Sequence, residues 1–309
     1  MTAEVTRIEP YLPLYTAGFN LYRSGGLPRG SLTGWKQLDE LYTVGLGQWT
    51  VVTGTPGSGK SEWLDALLVN LAERERWLFA VYSPENYPTE THLAKLCEKR
   101  ARRPFNPGPN TRMTEQQYAD SALWIMERFM WLSPDLKSPE ELIATALSYD
   151  IEGRKLGIVL DPWNTLEHQR GGMSETDYVS FILTEVTKMA RKANAHVWLV
   201  VHPAKIPRNK DGTRPVPTPY DISGSAHWYN KADNIVTIHR DQVEQGQDVE
   251  IHVQKVRFKH CGHPGLAVLN YDKVTGRYFE IDVSIAGTTY TDPERGRAPP
   301  VLREPGQEG

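Results

Sequence analysis

The fold class is indicated most directly by TVVTGTPGSGKSEWLDALLVNLA, from Thr50 to Ala72. A run rich in β-branched residues leads into a turn with glycine at positions 54, 57 and 59. After the turn, large apolar residues recur at the spacing of one helix face: Trp63, Leu64, Leu67, Leu68 and Leu71. The stretch therefore predicts a strand, a glycine-rich loop and a helix, which is the repeating unit of an α/β sheet protein.

The glycine-rich loop has the composition of a phosphate-binding loop. Residues 54–61, GTPGSGKS, fit the pattern G-x4-G-K-[ST] between a strand and a helix. Glycines let backbone N–H groups surround phosphates, Lys60 is expected to reach the β- and γ-phosphates, and Ser61 is expected to bind Mg²⁺. We therefore expect a nucleoside triphosphate with Mg²⁺, held by Gly54, Thr55, Pro56, Gly57, Ser58, Gly59, Lys60, Ser61 and Glu62.

Composition narrows the class of protein. The chain has 309 residues, 39% of them hydrophobic, and a formal net charge of −3, which excludes a globally basic nucleic-acid coat. Two cysteines are too few for a disulfide framework. No apolar run approaches the roughly 20 residues that span a bilayer, and the N-terminus lacks a signal pattern. We therefore expect no membrane partner and a cytoplasmic location.

The rest of the chain continues the α/β pattern. The runs WTVVTG, WLFAVYS, LGIVLD and HVWLVVH predict strands covered on both faces in a mostly parallel sheet flanked by helices. Past Asn234, short strands and the hairpin sequence DKVTG predict antiparallel strands at the C-terminal end. We expect a linker or arm over residues 1–31, one ATPase domain over 32–284 and a disordered tail over 285–309.

Helical patterns lie between these strands. One is predicted over about 115–132, and another begins at Ser138. A third covers about 178–192, and its apolar stripe is expected to face the core: Phe181, Ile182, Val186 and Met189.

Polar residues follow three of the predicted strands. Asp161 ends KLGIVLD and can hold Mg²⁺ through water, although a turn aspartate before Pro162 would look the same. Glu85 follows FAVYS and can polarise an attacking water, and His202 follows WLVV and can hydrogen-bond a phosphate. Each signal is weak alone. Together with Lys60 they predict a site at the carboxyl edge of four neighbouring strands.

Two other phosphate-loop classes are disfavoured. A nucleoside kinase needs a lid and an arginine-rich acceptor pocket, and no lid-like segment follows the third strand. A small GTPase needs the guanine-binding sequence N-K-x-D, which is absent.

These residues in this order resemble the RecA-like motor domain of DnaB-type, superfamily 4 replicative helicases, and are most similar to the Twinkle and phage primase-helicase branch. The matching segments run from about Leu32 to Val283, and they are GTPGSGKSEW, VYSPEN, VLDPWNTLEH, VVHPAK, DISGSAHWYNKADNIVTIHRD, and QKVRF followed by YDKVTGRY.

The resemblance implies roles for individual residues. Glu85 would activate water, Asp161 and Ser61 would serve Mg²⁺, and His202 would sense the γ-phosphate. The pair Lys255 and Arg257 would reach the nucleotide site of a neighbouring subunit, although a solvated basic strand face is the alternative. Arg240 and Tyr271 would flank the base, or simply lie on the surface.

The resemblance also implies ATP or dTTP as cofactor with Mg²⁺, a hexameric ring, single-stranded DNA as partner, and contact with a primase or another replisome protein. It implies a bacterial or phage-infected cell as the location. The segment from His202 to Trp228 is locally basic and rich in Gly and Pro, so it would face DNA, or else be an ordinary solvated loop. The candidate DNA-binding residues are Lys205, Arg208, Lys210, Arg214, Ser223, Gly224 and Ser225.

Two other functions remain open at this point. A RecA- or KaiC-like ATPase that times assembly or signalling would share the phosphate loop, Glu85 and Asp161. A non-catalytic remnant would bind nucleotide only, and the intact Lys60, Glu85 and Asp161 count against it.

Overall fold

The computed structural model describes residues 11–136, 138–149, 151–166, 171–204, 206–210, 212, 214–223, 225–240 and 247–281. Within them, nine strands form one sheet in the order β3-β2-β4-β5-β1-β6-β7-β8-β9. The strands are β1 Trp49–Thr53, β2 Trp77–Tyr82, β3 Phe129–Trp131, β4 Lys155–Leu160, β5 His196–Val201, β6 Asn234–His239, β7 Asp248–Val256, β8 Gly265–Asp272 and β9 Arg277–Glu280. The helices are α1 Leu12–Arg23, α2 Lys36–Leu41, α3 Lys60–Arg74, α4 Thr89–Ala101, α5 Glu115–Met126, α6 Pro139–Leu147, α7 Glu175–Ala193 and α8 Ser225–Lys231.

The sheet changes direction at β6, as the sequence predicts. From β3 to β6 the pairings are parallel, and from β6 to β9 they are antiparallel. Strands β1, β2, β5 and β6 are buried along their whole length, because helices cover both faces of the parallel part. The DKVTG hairpin forms, with the Asp272 carboxylate accepting from the Val274 N–H at 2.9 Å.

Two apolar layers hold the helices against the sheet. On one face α3, α4 and α5 pack over large aromatic residues that include Trp63, Trp77 and Trp198. On the other face α6, α7 and α8 pack around Trp49 and Trp228. The three-layer arrangement leaves the carboxyl edge of the parallel strands open between the helix layers, which is where a site can form.

Two local predictions need correction. The helix predicted over 115–132 ends at Met126, and residues 129–131 form the edge strand β3 instead. Phe181 does not face the core: it is 48% exposed, and the buried stripe of α7 runs through Tyr178, Ile182 and Val186. Within the predicted linker or arm, Leu12–Arg23 forms helix α1.

The core begins slightly before the predicted boundary at residue 32. Ser31 is buried and pairs with Val44, and its hydroxyl donates to Glu75 at 2.8 Å. At the other end, the Gln37 side chain donates to the Ile281 carbonyl at 3.0 Å. The predicted tail over 285–309 lies outside the described residues.

Candidate active site

The loop between β1 and α3 has the backbone that a phosphate-binding loop requires. Gly54, Gly57 and Gly59 have φ values of 152°, 78° and 93°, which side chains other than glycine rarely allow. A Cβ on Gly54 would overlap the carbonyl oxygen of Ile238 on β6. The glycines are therefore needed for both the curvature and the close approach of the loop to the sheet.

Lys60 is held inside this loop. Its ammonium donates to the carbonyls of Gly54 at 3.0 Å and Thr55 at 3.2 Å. Burial lowers the pKa of Lys60, and the carboxylates of Asp161 and Glu85 oppose that shift. Among the described residues, the hydroxyls of Thr55 and Ser58 are buried without a hydrogen-bond partner. The loop thus presents a cation and free hydroxyls, which suits a phosphate ligand.

Asp161 and Ser61 meet beside this loop. The Asp161 N–H donates to the Tyr82 carbonyl at 2.9 Å, which fixes the start of its loop at the end of β2. The Ser61 hydroxyl lies near enough to the Asp161 carboxylate to act against the rise in its pKa. Burial first, then the charges of Asp65 and Glu85, raise the pKa of Asp161 to about 6. A hydroxyl and a buried carboxylate that is repelled by two other carboxylates suit Mg²⁺. This ion prefers oxygen ligands, and its positive charge would relieve the repulsion.

Glu85 and His202 face each other across the same edge. Glu85 lies in a 3₁₀ turn after β2, and its carboxylate is 3.8 Å from His202 Nε2. Burial and the Lys60 charge lower the pKa of His202, and Glu85 opposes them. The His202 N–H donates to the Asn164 side chain at 2.9 Å. Asn164, three residues past Asp161, thus links the two strand ends, a role that no sequence motif indicated.

The strand order places these groups together. Glu85 follows β2, Asp161 follows β4, His202 follows β5 and Lys60 follows β1, and these four strands are adjacent in the sheet. The predicted set of four neighbouring strand ends is therefore present in the structure.

An aromatic pair lies on the other side of the loop. Tyr271 and Tyr278 have ring centroids 5.0 Å apart, and the Tyr278 hydroxyl donates to the Gly59 carbonyl at 3.4 Å. The Arg240 guanidinium lies 5.8 Å from the centre of the Tyr271 ring. Arg240 and Tyr271 are thus together beside the loop. Tyr278 was missed, because nothing local in the sequence signals a contact across 219 residues.

Glu62 is engaged within the protein. Its carboxylate is 2.7 Å from the Lys99 ammonium and 3.1 Å from the Lys95 ammonium. Burial raises the pKa of Glu62, but these lysines outweigh it and hold the pKa at about 2. This carboxylate therefore anchors α4 to α3 next to the predicted nucleotide site.

Lys255 and Arg257 lie at the opposite edge of the sheet. Arg257 Nε is 2.8 Å from the Asp233 carboxylate, and Asp233 also accepts from the N–H of Trp49, the first residue of β1. Both cations donate to carbonyls at the end of α8, Lys255 to Tyr229 and Asn230, and Arg257 to Asn230, Lys231 and Ala232. The Arg257 N–H donates to the Asp233 carbonyl, level with the start of β1, so the length of β1, about 16 Å, separates Arg257 from the phosphate loop of its own chain. Lys255 lies opposite Ile235 of β6, which pairs with Val51 in the middle of β1.

The basic segment after β5 is described in part. Arg208 and Lys210 are exposed, Arg214 is partly exposed, and Arg208 donates to the Gly212 carbonyl at 2.7 Å. Its base is closed where the Ala204 N–H donates to the Asp221 carbonyl at 2.6 Å. The Ser223 hydroxyl donates to Glu175 at 2.9 Å. Lys205, Gly224 and the side chain of Ser225 lie outside the described residues.

None of the described helices is both long enough and apolar enough to cross a membrane.

Comparison with known proteins places the chain in a family. The sequence pattern of the DnaB-like helicase C terminal domain matches residues 30–279. The Twinkle homolog protein, chloroplastic/mitochondrial, of Arabidopsis thaliana is 39% identical over 288 residues, which cover 88% of this chain and 40% of that protein. The chain thus spans about two fifths of the length of this curated relative.

Solved structures show the same fold at low identity. One solved ATPase domain superposes with a TM-score of 0.72 at 18% identity, over 90% of this chain and 100% of that one. A DnaB-like replicative helicase, studied with its interactions with primase, gives 0.71 at 17% identity, over 89% and 71%. The RadB recombinase gives 0.55 at 16% identity, over 81% and 99%. The resemblance seen in the motifs is confirmed, and the chain belongs to the DnaB-like helicase C-terminal domain family, with its RecA-like fold.

Proposed function

We propose that this chain is the motor domain of a ring-forming helicase, which hydrolyses ATP or dTTP to move along single-stranded DNA and unwind duplex at a replication fork. One observation carries the proposal. Lys60, Asp161, Glu85 and His202 meet at one edge of the sheet, whereas the Arg257 cation lies at the other edge. A site divided in this way is complete only when a second copy supplies the missing cation.

Hydrolysis requires a water aligned with the γ-phosphate and a base for its proton. Glu85 is suited to accept that proton, because its side chain is 54% exposed and therefore reaches solvent. Lys60 would exchange its two loop carbonyls for phosphate oxygens. Mg²⁺, held by Ser61 and Asp161, would supply charge neutralisation at the β- and γ-phosphates.

The base of the nucleotide has a place beside the same loop. Arg240 and Tyr271 present a guanidinium and a ring next to each other, which can stack on a purine or pyrimidine. The Tyr278 ring packs against the Tyr271 ring, and the Tyr278 hydroxyl donates to the Gly59 carbonyl of the phosphate loop. Stacking without edge recognition is consistent with use of either ATP or dTTP.

A neighbouring subunit would supply Lys255 and Arg257. An arginine finger stabilises charge on the transferring phosphate and is worth about 10³–10⁵ in rate for phosphate-loop enzymes. Because the finger and the loop lie at opposite edges of one chain, this contribution would depend on ring assembly.

Helix α1 is suited to hold the ring together. None of its residues is buried, although it carries the large apolar residues Leu14, Tyr15, Phe19 and Tyr22. Such a surface normally packs against another protein surface. We propose that α1 docks on the adjacent subunit of a hexamer.

The link from nucleotide to DNA would run through two contacts. His202, beside Glu85, leads directly into the basic segment with Arg208 and Lys210. Trp163, two residues past Asp161, meets Trp228 of α8 edge to face at 5.4 Å. A change at the phosphate edge would therefore reach both ends of the segment proposed to face DNA.

Partners beyond DNA follow from the family. We propose a primase or another replisome protein as a partner, since one structural neighbour, a DnaB-like replicative helicase, was studied for its interactions with primase. The location in a bacterial or phage-infected cell remains a prediction. The Arabidopsis relative is named as a chloroplastic and mitochondrial protein.

The first experiment compares ATP turnover with and without single-stranded DNA at low salt. Stimulation is expected in the unmodified protein and is expected to fall in the triple variant Arg208→Ala, Lys210→Ala, Arg214→Ala. The matched control replaces three exposed cations elsewhere, Lys36→Ala, Arg76→Ala and Arg112→Ala. If assembled rings show no stimulation, the RecA- or KaiC-like timing function replaces the helicase proposal.

A second experiment tests catalysis across the subunit boundary. Lys60→Ala and Arg257→Ala should each be inactive alone, but mixed rings would join an intact loop to an intact finger and regain turnover. Glu85→Gln should lower turnover by about 10²–10⁴ and leave nucleotide binding unchanged. Mixed rings that assemble but stay inactive, although their Arg257→Ala subunits bind nucleotide, would show that the finger assignment is wrong.

A further inference from the structure

A second buried carboxylate lies beside the proposed metal residues and has no role in the function described above. Asp65 is four residues after Ser61 on α3, so the two side chains lie on the same face of the helix. The side chain of Asp65 is 8% exposed. The charge of Asp65 is also one of the causes of the raised pKa of Asp161.

One oxygen of Asp65 is held by a chain of hydrogen bonds. The Trp131 indole N–H donates to His92 Nδ1 at 3.2 Å, and His92 Nε2 is 3.1 Å from Asp65 Oδ1. Because Nδ1 accepts from the indole, the imidazole proton lies on Nε2 and is donated to the carboxylate. The His92 side chain is 2% exposed, and its ring meets Trp131 edge to face. The orientation of the carboxylate is therefore set by α4 and β3.

The other oxygen has no such partner. Asp65 Oδ2 is buried and accepts no hydrogen bond from the residues that the structure describes. A buried charged oxygen left without a donor is costly, and ordered water or an ion commonly satisfies such a group. The packing of α3, α4 and β3 thus leaves one buried hydrogen-bond acceptor available on the face of α3 that also carries Ser61.

We propose that Asp65 Oδ2 accepts a hydrogen bond from a water bound to the Mg²⁺ held by Ser61 and Asp161, with His92 and Trp131 orienting it. Mg²⁺ in nucleotide sites keeps several waters, and residues that hydrogen-bond such waters strengthen metal binding by about 10–100-fold. The inference rests on the proposed nucleotide hydrolysis and adds a positioning residue to it.

The test uses Asp65→Asn in the full chain. The amide oxygen can still accept from His92, so the link between the helices is retained, while the charge and the second acceptor are lost. We would titrate Mn²⁺ into protein with a non-hydrolysable ATP analogue and follow free Mn²⁺ by electron paramagnetic resonance. Metal affinity is expected to fall about 10–100-fold. Affinity for a fluorescent ATP analogue, measured in EDTA so that no metal is bound, is expected to stay unchanged.

Two further variants test whether the loss of metal affinity depends on the position of the Asp65 carboxylate, and not on net charge or on folding. Glu90→Gln removes one exposed carboxylate from α4 and should leave metal affinity unchanged. Trp131→Phe removes the donor to His92 and should weaken metal binding in the same direction by a smaller factor, even if Asp65→Asn proves unstable. Turnover of Asp65→Asn should recover at high Mg²⁺, which a purely structural defect would not allow.

The outcomes are distinct. Unchanged metal affinity in folded Asp65→Asn would overturn the inference, and Asp65 would then only join α3 to α4. An equal loss in Glu90→Gln would also overturn it, because the effect would then be long-range charge. Failure of the unmodified protein to bind the metal–nucleotide complex would instead contradict the proposed function.

Discussion

Arg257→Ala should destabilise the isolated subunit, quite apart from any effect on hydrolysis. Arg257 is paired with Asp233, whose side chain is 1% exposed, and it donates to three carbonyls at the end of α8 at 2.8–3.0 Å. After the substitution Asp233 would keep only the Trp49 N–H at 3.2 Å and Arg191 at 3.9 Å among the groups described.

The magnitude follows from burial. Removing one member of a buried ion pair costs about 3–5 kcal/mol. Arg257 itself is 36% exposed, so water replaces part of what is lost, and we expect about 2 kcal/mol. For a domain of this size that corresponds to a fall in Tm of about 4–8 °C. Arg257→Lys should lose roughly half as much, because an ammonium can pair with Asp233 but cannot serve three carbonyls.

The assay is thermal unfolding followed by circular dichroism, at a dilution where the sample is monomeric and without nucleotide. Asp233→Asn and the double variant with Arg257→Ala complete a double-mutant cycle. We expect a coupling free energy of about 1–3 kcal/mol between the two side chains. A Tm for Arg257→Ala within about 1 °C of the unmodified protein would refute the argument from burial. Arg257 would then be free for the neighbouring subunit at no cost to its own.

The other predictions concern the core and the buried carboxylate. Gly157→Ala on β4 should cost about 1–3 kcal/mol of unfolding free energy, because a Cβ there would lie 2.5 Å from Phe79 and 2.8 Å from Trp198; unchanged urea denaturation would contradict this. Burial raises the pKa of Asp161 from 3.8 to about 6. The folded protein therefore binds this proton more tightly than the unfolded chain does, and the stability that this adds is present below pH 4 and is lost as the pH rises through 6. Asp161→Asn should therefore be more stable than the unmodified protein at pH 8 without Mg²⁺, by about 2–3 kcal/mol, and this gap should shrink by pH 4; a gap that stays constant with pH would exclude titration of Asp161 as its cause.

Local signals in the sequence determined the phosphate loop, the parallel strands and the polar residues at their ends. Glycine spacing, apolar runs and helix periodicity act over a few residues, so they can be recognised without knowing the rest of the chain. The position of Glu85, Asp161 and His202 at one edge follows as well, because parallel strands bring their carboxyl ends together.

Contacts between residues far apart in the sequence depend on the three-dimensional packing. Tyr278 touches Gly59, and Trp131 fixes His92 against Asp65, through packing that no local pattern records. Phe181 is exposed for the same reason, because the buried stripe of α7 is narrower than the stripe of its apolar residues. Which face of a helix is buried, and which strand lies beside which, depends on the whole arrangement of the sheet and its covering helices.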